Sequence, residues 1–292
     1  MKISKNNAIF AMDPSHSPVA YAKSGDKVTF ETMDCFSDTV QSHSDLVSSI
    51  DFNRVNPATG PLFIEDAKAG DVLKVTIEAI RVNNQGAVVT APGLGLLSDG
   101  IETEETIICP VSEDTITFKD YNLPIRKMVG VIGTAPKKDA INTGTPDSHG
   151  GNMDSVDLGE GATVYLPVNV DGALLALGDL HAAMGDGEVM GSGLEIAGEV
   201  DLTVEVIKNK AYPTPMIETE TEWMTVASAE TLDESALIAT QHMSDFLQSK
   251  EGMTFNEAGM FMSIMGSLKV SQAVNPNKTM RMVVQKAHLK SK

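Results

Sequence analysis

Apolar and polar residues alternate with a period of two along most of the first two-thirds of the chain. Such runs begin at Val28, Leu73 and Leu202, where apolar side chains recur at every second position. Because successive side chains of a β-strand point to opposite faces, this period is typical of strands with one buried face. The pattern therefore predicts that the chain begins as a β-rich body.

A tight hairpin is the clearest local prediction of the pattern. Alternating runs from Val164 to Val170 and from Ala173 to Leu177 are separated only by Asp171-Gly172. An Asp-Gly pair between two such runs is typical of a type I′ turn, in which glycine accepts a positive φ. We therefore expect these two strands to pair with each other.

The periodicity becomes helical after about Tyr212. A helix from Thr231 to Lys250, ending near Gly252, is predicted by apolar positions three and four residues apart. These positions are Ala236, Leu237, Thr240, Met243 and Leu247. Thr254 and Glu257 then match a capping box, which predicts a second helix that continues to about Met265.

Together these elements predict the fold class and its organisation. The class is mainly β, with a β-sandwich or jelly-roll-like body and an added α/β C-terminal portion. We place the body in residues 1–211 and the C-terminal portion in residues 212–292, with one intertwined domain as the alternative.

Acidic residues greatly outnumber basic residues. The 292-residue chain has 40 Asp and Glu against 22 Lys and Arg, a net charge of −18 at pH 7. This charge repels phosphate backbones and anionic lipids, so we expect neither a nucleic-acid nor a membrane partner. No apolar run approaches the roughly 20 residues of a membrane-spanning helix, and the N-terminus lacks the pattern of a signal peptide. Two cysteines support neither a disulfide framework nor a CxxC zinc cluster, so we predict a soluble, cytoplasmic protein.

An acid and an imidazole stand at the end of the second strand of the predicted hairpin. Two-residue steps from Leu175 and Leu177 lead to Asp179 and His181, so we expect both on the same core-facing side. This spacing suits joint coordination of a metal ion, or a carboxylate that orients a histidine. Asp34 similarly continues the buried face of its own strand. Side chains that emerge into solvent, or that cap a turn, are the structural interpretation of the same positions.

Two glycine-rich loops add further candidate groups. Residues 145–154 include His149 and Asp154, and the segment after Gly178 includes Asp186 and Glu188. Functional groups often lie on such loops above a rigid sheet. An ordinary solvated turn is the alternative for the first loop.

Two nearby residues are predicted to point away from these groups. Simple alternation places Glu195 outside, unless a bulge at Gly191 or Gly193 redirects it. Cys35 follows Asp34 and should point to the opposite face, so we expect a core or surface thiol. The sequence also contains no HExxH motif, phosphate-binding loop or GxSxG nucleophile elbow.

Several long motifs resemble those of the acetamidase/formamidase family, over most of the chain from Val28 to Lys286. They are Asn56-Pro-Ala-Thr-Gly-Pro61, Gly130-Val-Ile-Gly-Thr-Ala-Pro136, His149-Gly-Gly-Asn-Met-Asp154, Tyr165-Leu-Pro-Val168, Gly178-Asp-Leu-His-Ala-Ala-Met-Gly-Asp-Gly-Glu188 and Gln272-Ala-Val-Asn-Pro276. The resemblance implies a β-sandwich-like fold, a homo-oligomer and hydrolysis of a small amide such as formamide or acetamide. It extends, without assigning roles, to the motif positions His149, Asp154, Asp179, His181, Glu188 and Glu195.

Amide hydrolysis needs an activated water, a group that stabilises the oxyanion and an acid that protonates the departing ammonia. We therefore predict a divalent metal, Zn²⁺ first, held by Asp179 and His181. The further candidate ligands are Asp34, His149 and Glu195. Glu188 is the predicted proton shuttle, and Asp154 either orients His149 or binds the metal.

A non-catalytic module is the alternative function. In that case the same pocket would hold a small ligand or Ca²⁺, which prefers oxygen ligands. Two histidines beside the carboxylates favour the catalytic interpretation, because imidazole suits Zn²⁺ better than Ca²⁺.

Overall fold

A computed structural model of the chain describes residues 1–209 and 212–290. The first eleven strands in chain order are β1 (Lys2–Ile3), β2 (Ala8–Ile9), β3 (Ala11–Met12), β4 (Ala20–Ala22), β5 (Lys27–Thr32), β6 (Ala58–Ile64), β7 (Val72–Val82), β8 (Gln85–Thr90), β9 (Glu105–Pro110), β10 (Thr115–Phe118) and β11 (Tyr121–Pro124).

The second half of the chain carries the other strands and two α-helices. The strands are β12 (Met128–Gly133), β13 (Ile141–Asn142), β14 (Gly150–Asn152), β15 (Thr163–Pro167), β16 (Leu175–Ala183), β17 (Leu194–Ile196), β18 (Gly198–Ile207), β19 (Met216–Glu218), β20 (Glu222–Ala229), β21 (Ser267–Gln272) and β22 (Lys278–Gln285). The helices are α1 (Leu232–Glu251) and α2 (Phe255–Met265).

Two nine-stranded sheets contain most of these strands. The first has the order β1-β5-β18-β7-β15-β19-β20-β22-β21. The second runs β14-β12-β16-β17-β8-β9, with β6 also paired to β16 and with β2 and β4 paired to β6. The two remaining pairs are β10 with β11 and β3 with β13.

The two large sheets share one hydrophobic core. Phe30 and Leu73 of the first sheet belong to the same buried cluster as Ile132 and Leu177 of the second. Burying a large apolar side chain stabilises a fold by about 1.5–3 kcal/mol, so this contact is the main reason that the sheets face each other. The mainly β, sandwich-like body predicted from the alternation is confirmed.

The predicted hairpin is wrong. β15 lies in the first sheet between β7 and β19, whereas β16 lies in the second sheet. The turn after Asp171 crosses between the sheets, with positive φ at Gly172, Ala173 and Leu174. Strands that face each other across a core show the same alternation as strands that pair side by side, so the pattern cannot distinguish them.

Both predicted helices are confirmed, and their caps explain their limits. The Thr231 side chain accepts a hydrogen bond at the start of α1, and Gly252 ends it with a φ of 70°. Both halves of the Thr254–Glu257 capping box are present at α2. Leu237, one position of the helical pattern, does not face the core, because its side chain is 59% exposed.

The C-terminal strands β19–β22 continue the first sheet, and the helices pack on its outer face. Trp223 and Met282 of that sheet form a buried cluster with Met243 and Phe246 of α1. The predicted boundary after residue 211 lies at residues 210–211, which are outside the described residues, and the two-part division stays a prediction. Within residues 1–209 and 212–290, no helix is long and apolar enough to cross a membrane.

Candidate active site

Asp179 and His181 lie on β16 at a point where the regular alternation of side chains between the two faces of the sheet is interrupted. Leu177 and Leu180 both belong to the shared core although they are three residues apart, and Ala182 follows Leu180 into it. Asp179 lies between them with a φ of 58°, a left-handed conformation that Asp tolerates better than most residues. The prediction that both polar residues continue the core face of Leu177 is therefore wrong. They lie together on the opposite face, with His181 Nε2 3.7 Å from Asp179 Oδ1.

In the neighbouring strand β12, the alternation of side chains is interrupted at the position opposite Asp179. Val129 and Ile132 both enter the shared core, and between them Gly130 lies opposite Asp179. A Cβ atom at Gly130 would lie 2.5 Å from Asp154 Oδ1 and 2.8 Å from Asp179 Oδ2. Glycine therefore makes the space in which two carboxylates approach each other.

Glu195 enters the site from β17, although alternation predicted that it points outside. It lies directly opposite His181 in the sheet, and its Oε1 is 3.0 Å from His181 Nε2. The same oxygen accepts the Gly193 N–H at 2.8 Å. Other segments cover both faces of the second sheet here, so Leu194 and Ile196 are buried on one face and Glu195 is buried on the other.

Glu188 and Asp154 come from the two glycine-rich loops. Both have positive φ, 46° and 42° respectively. Glu188 Oε1 lies 3.9 Å from His181 Nε2. Asp154 Oδ2 accepts a hydrogen bond of 2.7 Å from Asn275 Nδ2. Asp154, His181 and Glu188 each offer a ligand atom within 4.8 Å of the others.

We call these five residues the acid cluster: Asp154, Asp179, His181, Glu188 and Glu195. Each is at most 7% exposed, and within the described residues no lysine or arginine pairs with any of them. Four of their atoms are buried with no hydrogen-bond partner among those residues: Asp154 Oδ1, Asp179 Oδ1, Glu195 Oε2 and His181 Nδ1. Burying polar groups without partners is costly, which indicates that the cluster binds something.

Burial changes the acidity of the whole cluster. It raises the pKa of Asp154 to about 7 and those of Asp179 and Glu195 to about 8. It also raises the pKa of Glu188 well above its usual value, with the nearby Asp154 carboxylate as a further cause. Without a cation, the cluster therefore holds protons at neutral pH.

The donor atoms fit a divalent metal. One group combines Asp154, His181 and Glu188, and a second combines Cys35, Asp179 and Glu195, with the three ligand atoms of each group within 4.8 Å of one another. Imidazole nitrogen, carboxylate oxygen and thiolate sulfur are the ligands that Zn²⁺ takes in proteins.

Asp34 and His149 lie outside both groups. Asp34 Oδ1 accepts the backbone N–H groups of Phe36 and Asp38, at 3.0 and 2.8 Å, so this buried residue caps a turn after β5. His149 is 1% exposed, neither ring nitrogen has a partner among the described residues, and burial lowers its pKa to about 4. Asp154 is held by Asn275 and makes no hydrogen bond with His149 in the described part of the chain.

A cavity of about 300 Å³ opens onto the cluster. Asp179, Glu188 and Glu195 line it directly, whereas Asp154 and His181 do not. Four asparagine side chains also line it: Asn56, Asn142, Asn152 and Asn275.

Sequence reasoning missed three residues of this cavity. Asn56 Nδ2 donates to Asp179 Oδ2 at 2.8 Å, and Asn275 holds Asp154. Both asparagines belong to motifs that carried the family resemblance, which was the available signal. Cys35 joins a buried apolar cluster, as a core thiol would, but it also lines the cavity. Cys35 was expected on the face opposite Asp34, and of the two only Cys35 lines the cavity. Because β5 ends at Thr32, strand alternation does not extend to either residue.

The chain resembles known proteins over its whole length. The model of the acetamidase/formamidase family matches residues 8–145 and 137–275. The crystal structure of an acetamidase from Bacillus halodurans has a TM-score of 0.97 and 50% sequence identity, covering 99% of this chain and 98% of that one.

More distant relatives agree. The formamidase of Methylophilus methylotrophus is 27% identical in an alignment of 281 positions, and the match covers 72% of this chain and 69% of that protein. A relative from Schizosaccharomyces pombe is 26% identical in an alignment of 263 positions. That match covers 66% of this chain and 63% of that protein, which is less than two-thirds of its length. From the family match and the near-complete structural agreement, we conclude that the chain belongs to the acetamidase/formamidase family.

Proposed function

We propose that the protein is an amidohydrolase that cleaves a small aliphatic amide, such as formamide or acetamide, to a carboxylate and ammonia. The observation that carries this proposal is the acid cluster, in which four buried carboxylates surround His181 beside a cavity. No lysine or arginine among the described residues balances them. The formamidase and acetamidase names of the relatives support the same reaction class.

A divalent metal, Zn²⁺ first, is part of the proposal. We assign its binding to His181, Asp179 and Glu195, because Asp179 Oδ1 and Glu195 Oε1 lie 3.7 and 3.0 Å from His181 Nε2. Asp179 Oδ1 and Glu195 Oε2 are also buried without a hydrogen-bond partner among the described residues. When bound, such an ion supplies Lewis-acid activation of a water and of the amide carbonyl. Asp34 is left out of the ligand set because its carboxylate caps a turn. His149 is left out because, among the described residues, it joins neither group of neighbouring candidate ligand atoms.

Glu188 and Asp154 are the two acids that remain outside this ligand set. Glu188 lines the cavity and burial raises its pKa well above the usual value, which favours the protonated form that can give a proton to the departing ammonia. Asp154 lies at the back of the cluster, where Asn275 fixes its carboxylate. Its proximity to His181 and Glu188 makes it a further candidate ligand.

A second candidate function is a non-catalytic module that binds Ca²⁺ or a small ligand. The abundance of carboxylate oxygens in the cluster favours it, since Ca²⁺ takes oxygen ligands. The imidazole at the centre of the cluster favours the hydrolase.

Ammonia release separates the two functions. Purified protein should hold a divalent metal by elemental analysis and should release ammonia from formamide, acetamide or propionamide. Chelation should abolish the release, and His181→Ala should lose both the metal and the activity. A metal-free protein with full activity would exclude the metal mechanism, and no ammonia from any of these amides would favour the binding module.

The wider setting is also proposed from the charge and the family. We propose that the protein acts in the cytoplasm as a homo-oligomer, with neither nucleic-acid nor membrane partners. Light scattering on the purified protein tests the assembly, and a monomer at micromolar concentration would contradict it.

A further inference from the structure

The cavity beside the acid cluster has a second wall that the proposed reaction does not use. Five apolar side chains line the cavity and also pack together in one hydrophobic cluster. We call them the apolar wall: Phe36, Val47, Ile50, Val89 and Leu94. Most of the wall comes from the chain between β5 and β6 and from the loop after β8, whereas Val89 belongs to β8 itself.

The two walls differ sharply in polarity. The acid cluster contributes three carboxylates to the cavity, and the apolar wall contributes only hydrocarbon surface. Of the described residues, no lysine or arginine lines the cavity. The described lining offers no basic side chain to pair with a negatively charged substrate, whereas a neutral molecule with one polar end and one apolar end would satisfy both walls.

The size of the cavity excludes formamide and acetamide as a close fit. Since one water occupies about 30 Å³ in the liquid, a cavity of about 300 Å³ has room for roughly ten non-hydrogen atoms. Formamide and acetamide would leave most of the apolar wall without contact. A longer acyl chain would cover it.

We propose that the apolar wall is an acyl-binding subsite and that the preferred substrates are neutral primary amides with an unbranched acyl chain of four to six carbons. This inference rests on the proposed amidohydrolase function. The amide group lies at the acid cluster, and the hydrocarbon chain lies along Phe36, Ile50 and Val89.

A series of amides tests the chain length. With metal-loaded protein, kcat/KM should rise about three- to fourfold for each methylene added from acetamide to pentanamide, the gain expected for burying one CH₂. Activity that is highest on formamide or acetamide and falls with length would overturn the subsite while leaving the amidohydrolase intact. Absence of hydrolysis across the series would overturn both.

A matched pair of valines on β8 tests the location. Val89 lines this cavity, whereas its neighbour Val88 lines a second cavity of about 510 Å³, and Glu188 lines both. Val89→Phe should lower the ratio of kcat/KM for pentanamide to that for acetamide at least tenfold. Val88→Phe should leave the ratio of the two substrates unchanged. An equal loss on both substrates in Val89→Phe, or the same change of ratio in Val88→Phe, would place the acyl chain elsewhere.

A second variant covers the case in which Val89→Phe does not fold. Ile50 is half-buried on the apolar wall, so Ile50→Ala removes contact surface without crowding the core. It should reduce the preference for pentanamide over acetamide by three- to tenfold, with an unchanged thermal midpoint as the check on folding. An unchanged preference would contradict the subsite.

Discussion

Gly130 is the residue on which the approach of two carboxylates depends. It has no side chain, and Asp154 and Asp179 occupy the space beside it from two different segments. A methyl group there would displace at least one carboxylate, because both lie closer than real Cβ contacts allow. The site therefore requires glycine at position 130 as well as the charged groups themselves.

Gly130→Ala should inactivate the enzyme. We expect kcat/KM to fall by at least about 100-fold, the scale of loss that follows from a small displacement of reacting groups, and metal content to fall with it. Gly100→Ala is the control, since a Cβ there meets nothing within 4 Å. Wild-type activity and metal content in Gly130→Ala would show that the two carboxylates do not act together.

Glu188→Gln distinguishes a proton shuttle from a metal ligand. Glutamine keeps the size of the side chain but cannot exchange a proton, so a shuttle predicts a loss of roughly 10²- to 10⁴-fold in kcat with metal content retained. His181→Ala, in which both should be lost, calibrates the assay. Loss of metal from Glu188→Gln would instead assign Glu188 to the ligand group with Asp154 and His181.

At the scale of elements, the C-terminal strands β21 and β22 position the loop that carries Glu188. Arg281 of β22 is 1% exposed and forms ion pairs with Asp157 and Asp186, at 2.7 and 2.8 Å. The Gly187 N–H also donates to the Ser271 carbonyl at 2.8 Å. These contacts hold the loop that carries Glu188 against β21 and β22.

Arg281→Gln should destabilise the protein strongly. Removing one partner of a fully buried ion pair costs about 3–5 kcal/mol, and this is an upper bound here, because the Asp157 and Asp186 side chains are 14% and 46% exposed. Arg81→Gln is a matched control, because Arg81 also pairs with two acids but its side chain is 51% exposed, where such pairs contribute about 1 kcal/mol or less. Urea unfolding measures both free energies, and equal values would show that the Arg281 pairs contribute no more than surface pairs.

For the whole molecule, the buried acids determine how stability depends on pH. Burial raises the pKa values of Asp154, Asp179 and Glu195 from 3.8 or 4.5 to about 7 or 8. The folded protein therefore holds protons that the unfolded chain releases above pH 4 to 5. This stabilisation is complete below the unfolded pKa values and is lost as the pH rises through 7 to 8.

The metal-free protein should accordingly become less stable from pH 5 to pH 9. We expect the thermal midpoint to fall by at least about 5 °C, since each kcal/mol shifts it by roughly 2–4 °C in a protein near this size. Surface acids with lowered pKa values, such as Asp201 at about 2, have finished titrating below this range. Asp179→Asn should flatten the dependence, and adding Zn²⁺ should restore stability at pH 9. A midpoint that rises with pH would contradict the assigned protonation.

Local chemistry alone predicted much of the secondary structure and part of the site. The limits of α1 and α2 follow from capping residues and helical spacing, which act within a few residues. The pairing of Asp179 with His181 also followed from the sequence, because both lie on one short stretch of strand. The resemblance of ordered motifs was enough to indicate the family.

Tertiary structure decided what each buried face contacts. Alternation shows that one side of a strand is buried, but it does not identify the element that packs against that side. For this reason the runs before and after Asp171 were predicted to form one hairpin, although they belong to two different sheets. Glu195 is buried beside the cavity only because segments distant in sequence cover both faces of the second sheet. Asn275 reaches Asp154 across 121 positions of the chain. Such contacts depend on the packing of the whole chain, and no local pattern of residues records them.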